Sequence, residues 1–212
     1  MLIHRWDEAV SEEQWRAFVH AQGFGHLVAA GKDRDYSVVV PTQFALTVGE
    51  GGEDVILMHL ARPNPIWEAL AENPHVVMSV AGDWAFIPAS WKAIGEEDPA
   101  WGIPTTYYAA VQLLGTAEVT NEAEEKAVIL RRQLGALPKD EGQVDPIEHG
   151  ATLAAIRGLR ITVHEVRAKF KYGGNVDVEH RLAVEARLLA RDGPGDRAAV
   201  RHLRERLETE EV

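Results

Sequence analysis

Hydrophobic and polar positions follow two rhythms along the chain, and the points where the rhythm changes predict a mainly β protein with added helices. Trp15, Phe18 and Val19 recur at helical spacing behind Ser11, Glu12 and Glu13, which predicts a short amphipathic helix with a serine cap and an acidic first turn. Phe24 to Ala30 reads as a strand, Gly31 to Asp35 as a charged turn, and Tyr36 to Val40 as a second strand stopped or bent by Pro41. Phe44 to Val48 and Val55 to Ala61 flank a loop with three glycines and form a second predicted hairpin.

The next pattern is helical. Asn64 stands as an N-cap and Pro65 at the first helical position, with the helix running from Ile66 to about Glu72 and stopping at Asn73-Pro74. His75 to Ala81 and Trp84 to Ile87 read as two strands, followed by a loop rich in Pro, Gly and acids from Ala89 to Pro104. Tyr107 to Val119 is the longest strand candidate, and Gly115 within it predicts a bulge or bend. Asn121 with Glu124 reads as a capping box, with Ala123, Ala127, Leu130, Leu134 and Leu137 as the buried helix face. Pro138 to Pro146 reads as a polar connector, Ile147 to Arg157 as a short helix and Leu159 to Val166 as the last strand. Beyond Gly173-Gly174 one further amphipathic helix is predicted, from about Arg197 to Glu208, on Val200, Leu203 and Leu207.

Consecutive strands joined by hairpin-length loops, with helices inserted late, predict an antiparallel β-barrel decorated with helices. No regular βαβ alternation is present, so a dinucleotide-binding Rossmann fold is excluded.

Composition narrows the function. The 212 residues hold 22 Lys and Arg against 33 Asp and Glu, a formal charge of -11, and no cysteine. Thiolate catalysis, iron–sulfur ligation and cysteine-based zinc sites are thereby excluded. The nine histidines include no His-x-His or His-x3-His pair, so no metal site is predicted. A net negative surface repels nucleic acid unless its basic residues are segregated, and the charge-dense tail from Arg181 onward balances seven Arg with seven acids. The start lacks the basic head and apolar run of a secretory signal, and no apolar stretch approaches the roughly 20 residues of a membrane span. The expectation is a cytoplasmic protein with no membrane partner.

Three stretches could carry chemistry. In Met58 to Trp67 a strand ends, Arg62 and Asn64 follow and a helix begins, so that N–H groups and a guanidinium could converge on a phosphate; alternatively Arg62 is a solvated loop residue and Asn64 simply a cap. Trp84 to Trp91 and Ile103 to Val111 concentrate aromatics, hydroxyls and prolines, as either a flat pocket or barrel core with a rigid loop. Arg167 to Asn175 places Lys169 and Lys171 on one side of an extended segment, which also suits a solvated basic edge.

Together these stretches resemble the PaiB-like family of FMN-binding split-barrel proteins, described as FMN-binding negative transcriptional regulators. The family pattern H-L-A-R-x-N-x-x-W is met by His59, Leu60, Ala61, Arg62, Asn64 and Trp67, and Y-I-S-P-S-W by Phe86, Ile87, Ser90 and Trp91. V-P-T-W-N-Y-x-A-V is met by Pro104, Thr105, Tyr108, Ala110 and Val111, and K-F-K-L-S-Q-N by Lys169, Phe170, Lys171 and Asn175. Thr106 and Tyr107 replace the family's Trp and Asn, and Tyr172-Gly173-Gly174 replaces Leu-Ser-Gln, which marks a divergent branch.

The resemblance implies an antiparallel FMN-binding split β-barrel over residues 1–176, a helical extension over 177–212, and a homodimer with FMN between subunits. On it, Arg62 and Asn64 would hold the FMN phosphate, while Thr42, Gln43, Ser90, Trp91, Thr105 and Lys169 would face the ring or ribityl chain. His59 belongs to the same motif as a cofactor contact or a core residue. The function implied is regulation of the PaiB type, through bound flavin rather than by direct base reading, since the charge and the lack of a basic recognition helix argue against the latter. The alternatives are a flavin-dependent oxidoreductase using NAD(P)H and a haem-binding split barrel with His59 or His164 as axial ligand.

Overall fold

The computed structural model describes residues 1–135 and 144–210, so Leu137 and most of the predicted Pro138–Pro146 connector lie outside the described residues. Seven strands form one sheet: β1 (Phe24–Ala29), β2 (Val38–Gln43), β3 (Ala45–Val48), β4 (Asp54–Ala61), β5 (His75–Ile87), β6 (Thr105–Thr120) and β7 (Ile156–Lys171), in the order β2-β1-β5-β6-β7-β4-β3. The helices are α1 (Glu12–Gln22), α2 (Ile66–Glu72), α3 (Ala123–Gly135), α4 (Gly150–Ala154), α5 (Val178–Arg191) and α6 (Asp196–Glu210). This is the antiparallel architecture with added helices that the hairpin spacing predicts, and it accords with the split barrel that the resemblance implies. Both predicted hairpins form, β1 pairing antiparallel with β2 and β3 with β4. Among the described residues, no helix is long and apolar enough to cross a membrane.

The departures from the predicted elements have local causes. Pro41 does not stop β2, because β2 is an edge strand and a missing N–H there costs no ladder bond. The two strands read over His75–Ile87 are one, carried past Gly82 by Asp83 in the left-handed region at φ 51°. Gly115 sits in β6 not for a bulge but for close approach, since a Cβ there would overlap the carbonyl of Thr162 on β7. Helix α3 begins one turn position later than the Asn121 capping box requires: Lys126 N–H donates to Glu122 O, and Thr120 Oγ1 accepts from Glu122 N–H. Its buried residues are Lys126, Ala127, Ile129 and Gln133, while Ala123 is exposed, so two polar side chains occupy what reads as an apolar face. The predicted helix over Ile147–Arg157 is shorter, ending at Ala154 so that β7 can begin at Ile156. Helix α5 falls within the helical extension implied over 177–212, in a part of it where periodicity alone predicts no separate helix.

The chain divides into two compact units. One contains residues 17–80 and 112–166, with Leu27, Ile56, Met58, Met78, Leu113, Leu159 and Ile161 among its fully buried side chains. The other contains residues 1–16, 81–111 and 167–212, centred on Ile87, Tyr107, Phe170, Tyr172 and Leu188. Burial of such side chains contributes on the order of 1.5–3 kcal/mol each before conformational entropy is counted.

Candidate functional site

In the unit containing residues 17–80, β4 ends at Ala61 and the chain turns a tight corner into α2. Ala61 O accepts from Asn64 N–H at 3.0 Å and from the Trp67 indole at 2.9 Å, so one carbonyl pins both the turn and the first helical turn. Asn64 Oδ1 accepts from Ile66 N–H at 3.0 Å, which is the capping role the sequence predicts. The corner therefore consumes its own N–H groups: Pro65 has none, Ile66 gives its to Asn64 Oδ1, and Trp67 gives its to Asn64 O at 3.4 Å. The cationic groups and the Asn64 side-chain amide nitrogen are what remain to meet an anion.

Arg62 is exposed. Its backbone N–H donates to Ala155 O at 2.8 Å and its Nε to Ala154 O at 3.0 Å, which braces the guanidinium, and no carboxylate pairs with it among the described residues. The register of β4 on β7 places Arg157 opposite Leu60, two residues from Arg62 along the same strand end. The Arg157 guanidinium lies 5.5 Å from the centroid of the Trp67 ring, and its Nε is buried without a hydrogen-bond partner. A buried, unsatisfied guanidinium N–H is a costly arrangement that an anionic ligand relieves. The sequence gives little warning of Arg157, because a single Arg at the start of a strand looks like an ordinary exposed end.

A second cluster in the same unit links β4, α3 and β2. His59 Nδ1 lies 2.7 Å from Gln133 Oε1, and Gln133 Nε2 donates to Gln43 O at 2.9 Å. Thr42 is buried and its hydroxyl donates to the same Gln43 carbonyl at 3.1 Å. Thr42, Gln43 and His59 are thus brought together, by a glutamine that the periodicity of α3 hides among apolar positions. Gln43 also lines a cavity of about 710 Å3 with Phe24, Phe44, Leu46 and Arg132.

The other predicted residues lie in the second unit. Ser90 and Trp91 sit on a single 3-10 turn, Ala89–Lys92, and one side chain gathers two of its carbonyls and the one that follows it: Arg187 of α5 donates to Ser90 O at 3.3 Å, Trp91 O at 2.5 Å and Ala93 O at 3.2 Å. The Trp91 ring is covered by the Arg191 guanidinium at 4.6 Å. Lys169 is buried, its Nζ donating to Leu2 O at 3.0 Å and lying 3.5 Å from Asp7 Oδ2 and 5.7 Å from the Tyr108 ring centroid. That ammonium anchors the N-terminal segment. Its neighbour in register, Lys171, is the lysine that faces a cavity, donating to Thr105 Oγ1 at 2.7 Å.

Comparison with known proteins bears on these features. The family described as "Putative FMN-binding domain" matches residues 1–165. The chain is 24% identical over 199 residues to "Protease synthase and sporulation protein PAI 2" of Bacillus subtilis (strain 168), covering 92% of each protein. Among solved structures, the flavocytochrome Anf3 from Azotobacter vinelandii is similar with a TM-score of 0.60 and 20% identity, covering 85% of this chain and 78% of that one. The FAD and Heme binding protein from Mycobacterium smegmatis is similar with a TM-score of 0.55 and 19% identity, covering 82% of this chain and 78% of that one. At these identities the two structures establish a shared fold.

Proposed function

The chain belongs to the FMN-binding domain family, with FMN as its cofactor, and from that premise we propose that it is a flavin-holding regulator of the PaiB type, acting through the flavin rather than by reading DNA bases. The observation that carries this reading is the corner after β4, where Arg62 is exposed with no carboxylate partner among the described residues and Arg157, opposite Leu60 in the β4–β7 register, has a buried Nε without a hydrogen-bond partner. The donor set suits a phosphate dianion: two planar guanidiniums offer paired N–H donors, and the Asn64 amide adds a neutral one. FMN, when bound, supplies the redox chemistry. The part of this chain is to bind the phosphate at Arg62, Asn64 and Arg157. The His59, Gln133 and Gln43 chain would keep the adjoining strand and helix in one arrangement.

The charge of -11 supports indirect regulation, because an acidic surface gains no counterion-release energy on DNA. The match to residues 1–165 and the family resemblance support a flavin-holding body over residues 1–176 with a helical extension over 177–212. A homodimer with FMN between the subunits belongs to the same proposal. The test is an absorption spectrum after adding FMN and removing the excess by gel filtration, with the elution volume read for dimer formation. Retained flavin bands that are lost in Arg62→Ala support the reading. Flavin that washes out of the unaltered protein overturns it. Bleaching of retained flavin by NADH or NADPH would favour an oxidoreductase instead, and a Soret band on haem titration a haem protein.

A further inference from the structure

In the unit holding residues 81–111 and 167–212, a cavity of about 440 Å3 opens between the loop before β6 and the end of β7. Lys92, Thr105, Tyr107, Lys171 and Asn175 supply its polar lining, and Trp101, Ile103 and Pro104 an apolar wall, with Trp101 86% and Ile103 77% exposed. Neither lysine pairs with a carboxylate among the described residues. In a protein with eleven more acids than bases, two half-buried ammonium groups sharing a cavity without an acid is a built feature. Tyr107 is 1% exposed and its hydroxyl has no hydrogen-bond partner. Gly173, at φ 80°, lacks the Cβ that would overlap this hydroxyl, so the glycine keeps open the space that the Tyr107 oxygen occupies.

We propose that this cavity binds the oxyanion of a small organic molecule between Lys92 and Lys171, with Tyr107 donating a hydrogen bond and Trp101 and Ile103 covering a flat apolar body. The donors match that chemistry. Lys171 holds Thr105 Oγ1 with one N–H and keeps others for a ligand, and Thr105, accepting from the lysine, has its own proton to donate. Burial, with the nearby charge of Lys171, pushes the Lys92 ammonium below the usual lysine range, and burial raises the Tyr107 phenol to about 12, so at neutral pH the phenol remains a donor. An anion between the two lysines offsets both their repulsion and the unsatisfied hydroxyl.

This inference stands apart from the Arg62 phosphate site: an oxyanion that belongs to a separate molecule leaves both sites standing, whereas the flavin's own phosphate bound here would overturn the Arg62 assignment. Isothermal titration of the full-length protein with benzoate and with inorganic phosphate, alone and with saturating FMN, separates the two. Saturable binding that weakens at least about tenfold in both Lys92→Gln and Lys171→Gln, and severalfold in Tyr107→Phe, supports the proposal. Binding that persists with FMN present identifies a separate molecule, and binding displaced by FMN identifies the flavin phosphate. Affinity unchanged in the correctly folded Lys92→Gln variant, or no saturable binding of benzoate, phosphate or FMN that depends on these lysines, overturns it. FMN binding lost in Arg62→Ala while no anion binds here would sink this proposal and leave the flavin reading intact.

Discussion

The imidazole Nδ1 of His59 lies 2.7 Å from the side-chain oxygen of Gln133, and the amide nitrogen of that glutamine reaches the carbonyl of Gln43 at 2.9 Å. With the amide oxygen accepting, Nδ1 carries a proton. One buried glutamine on α3 thus holds the ring of a β4 histidine and the end of β2.

Replacing Gln133 with leucine keeps the volume but removes the partner of His59 Nδ1 and leaves Gln43 O with the Thr42 hydroxyl. The expected cost is about 1–3 kcal/mol, read as a lower urea midpoint at unchanged slope. Stability equal to that of the unaltered protein would mean that water takes over both bonds.

On the proposed reading, Arg62→Ala removes a charge-assisted contact to the flavin phosphate. FMN affinity should fall by about 1.5–3 kcal/mol, measured by quenching of flavin fluorescence, and Arg157→Gln should weaken it further in the double variant. Equal affinities in all three variants would place the phosphate elsewhere.

Gly173 adopts φ 80° and a side chain there would overlap the Tyr107 hydroxyl. Gly173→Ala should therefore lower stability by roughly 1–3 kcal/mol, from backbone strain and displacement of the tyrosine. Adding Tyr107→Phe should recover part of that loss in thermal denaturation, because it removes the overlapping oxygen.

Arg191 makes two hydrogen bonds to Asp196, at 2.8 and 2.5 Å, and Asp196 is 1% exposed. The bonds from Arg191 hold its carboxyl below the usual aspartate range, against the opposing effect of burial. A depressed carboxyl adds stability that is present above the unfolded value and lost as pH falls through the folded one. Asp196→Ala should cost on the order of 1–3 kcal/mol at neutral pH, and urea denaturation should show that gap shrinking as the pH is lowered below about 4. A gap independent of pH would assign the loss to packing.

His180 behaves in the opposite sense. Its ring meets Asp177 at 2.9 Å and Glu97 at 3.2 Å, and hydrogen bonds to Asp177 first and Glu97 second raise it above the usual histidine range. The tether is complete below about pH 6.5 and is lost as pH rises through the raised value. Amide exchange in the Ile94–Glu97 turn, corrected for intrinsic rate, should quicken above neutral pH in the unaltered protein and be insensitive to pH in His180→Gln.

The alternation of short apolar runs with glycine and proline turns determined the hairpins β1–β2 and β3–β4, the Asn64-capped helix α2 and the antiparallel class of the fold, because each depends on residues within a few positions of one another. The H-L-A-R-x-N-x-x-W pattern likewise determined where the flavin phosphate should be sought, since its turn closes on its own carbonyl at Ala61. Only the tertiary structure decided that β2 continues through Pro41, that Gly115 serves β7 rather than a bulge, and that α5 exists to brace the Ala89–Lys92 turn through Arg187. The same holds for the side chains. Lys169 and Lys171 are equivalent in sequence alternation, yet one is spent on Leu2 and Asp7 at the other end of the chain and the other opens onto a cavity. Gln133, Arg157 and Lys92 carried no local signal because what makes each of them matter is a partner, or the lack of one, supplied by strands and loops distant in sequence. Local physics fixes which elements form, while burial and hydrogen-bond satisfaction, which are set by the whole chain, fix which polar side chains remain free to bind.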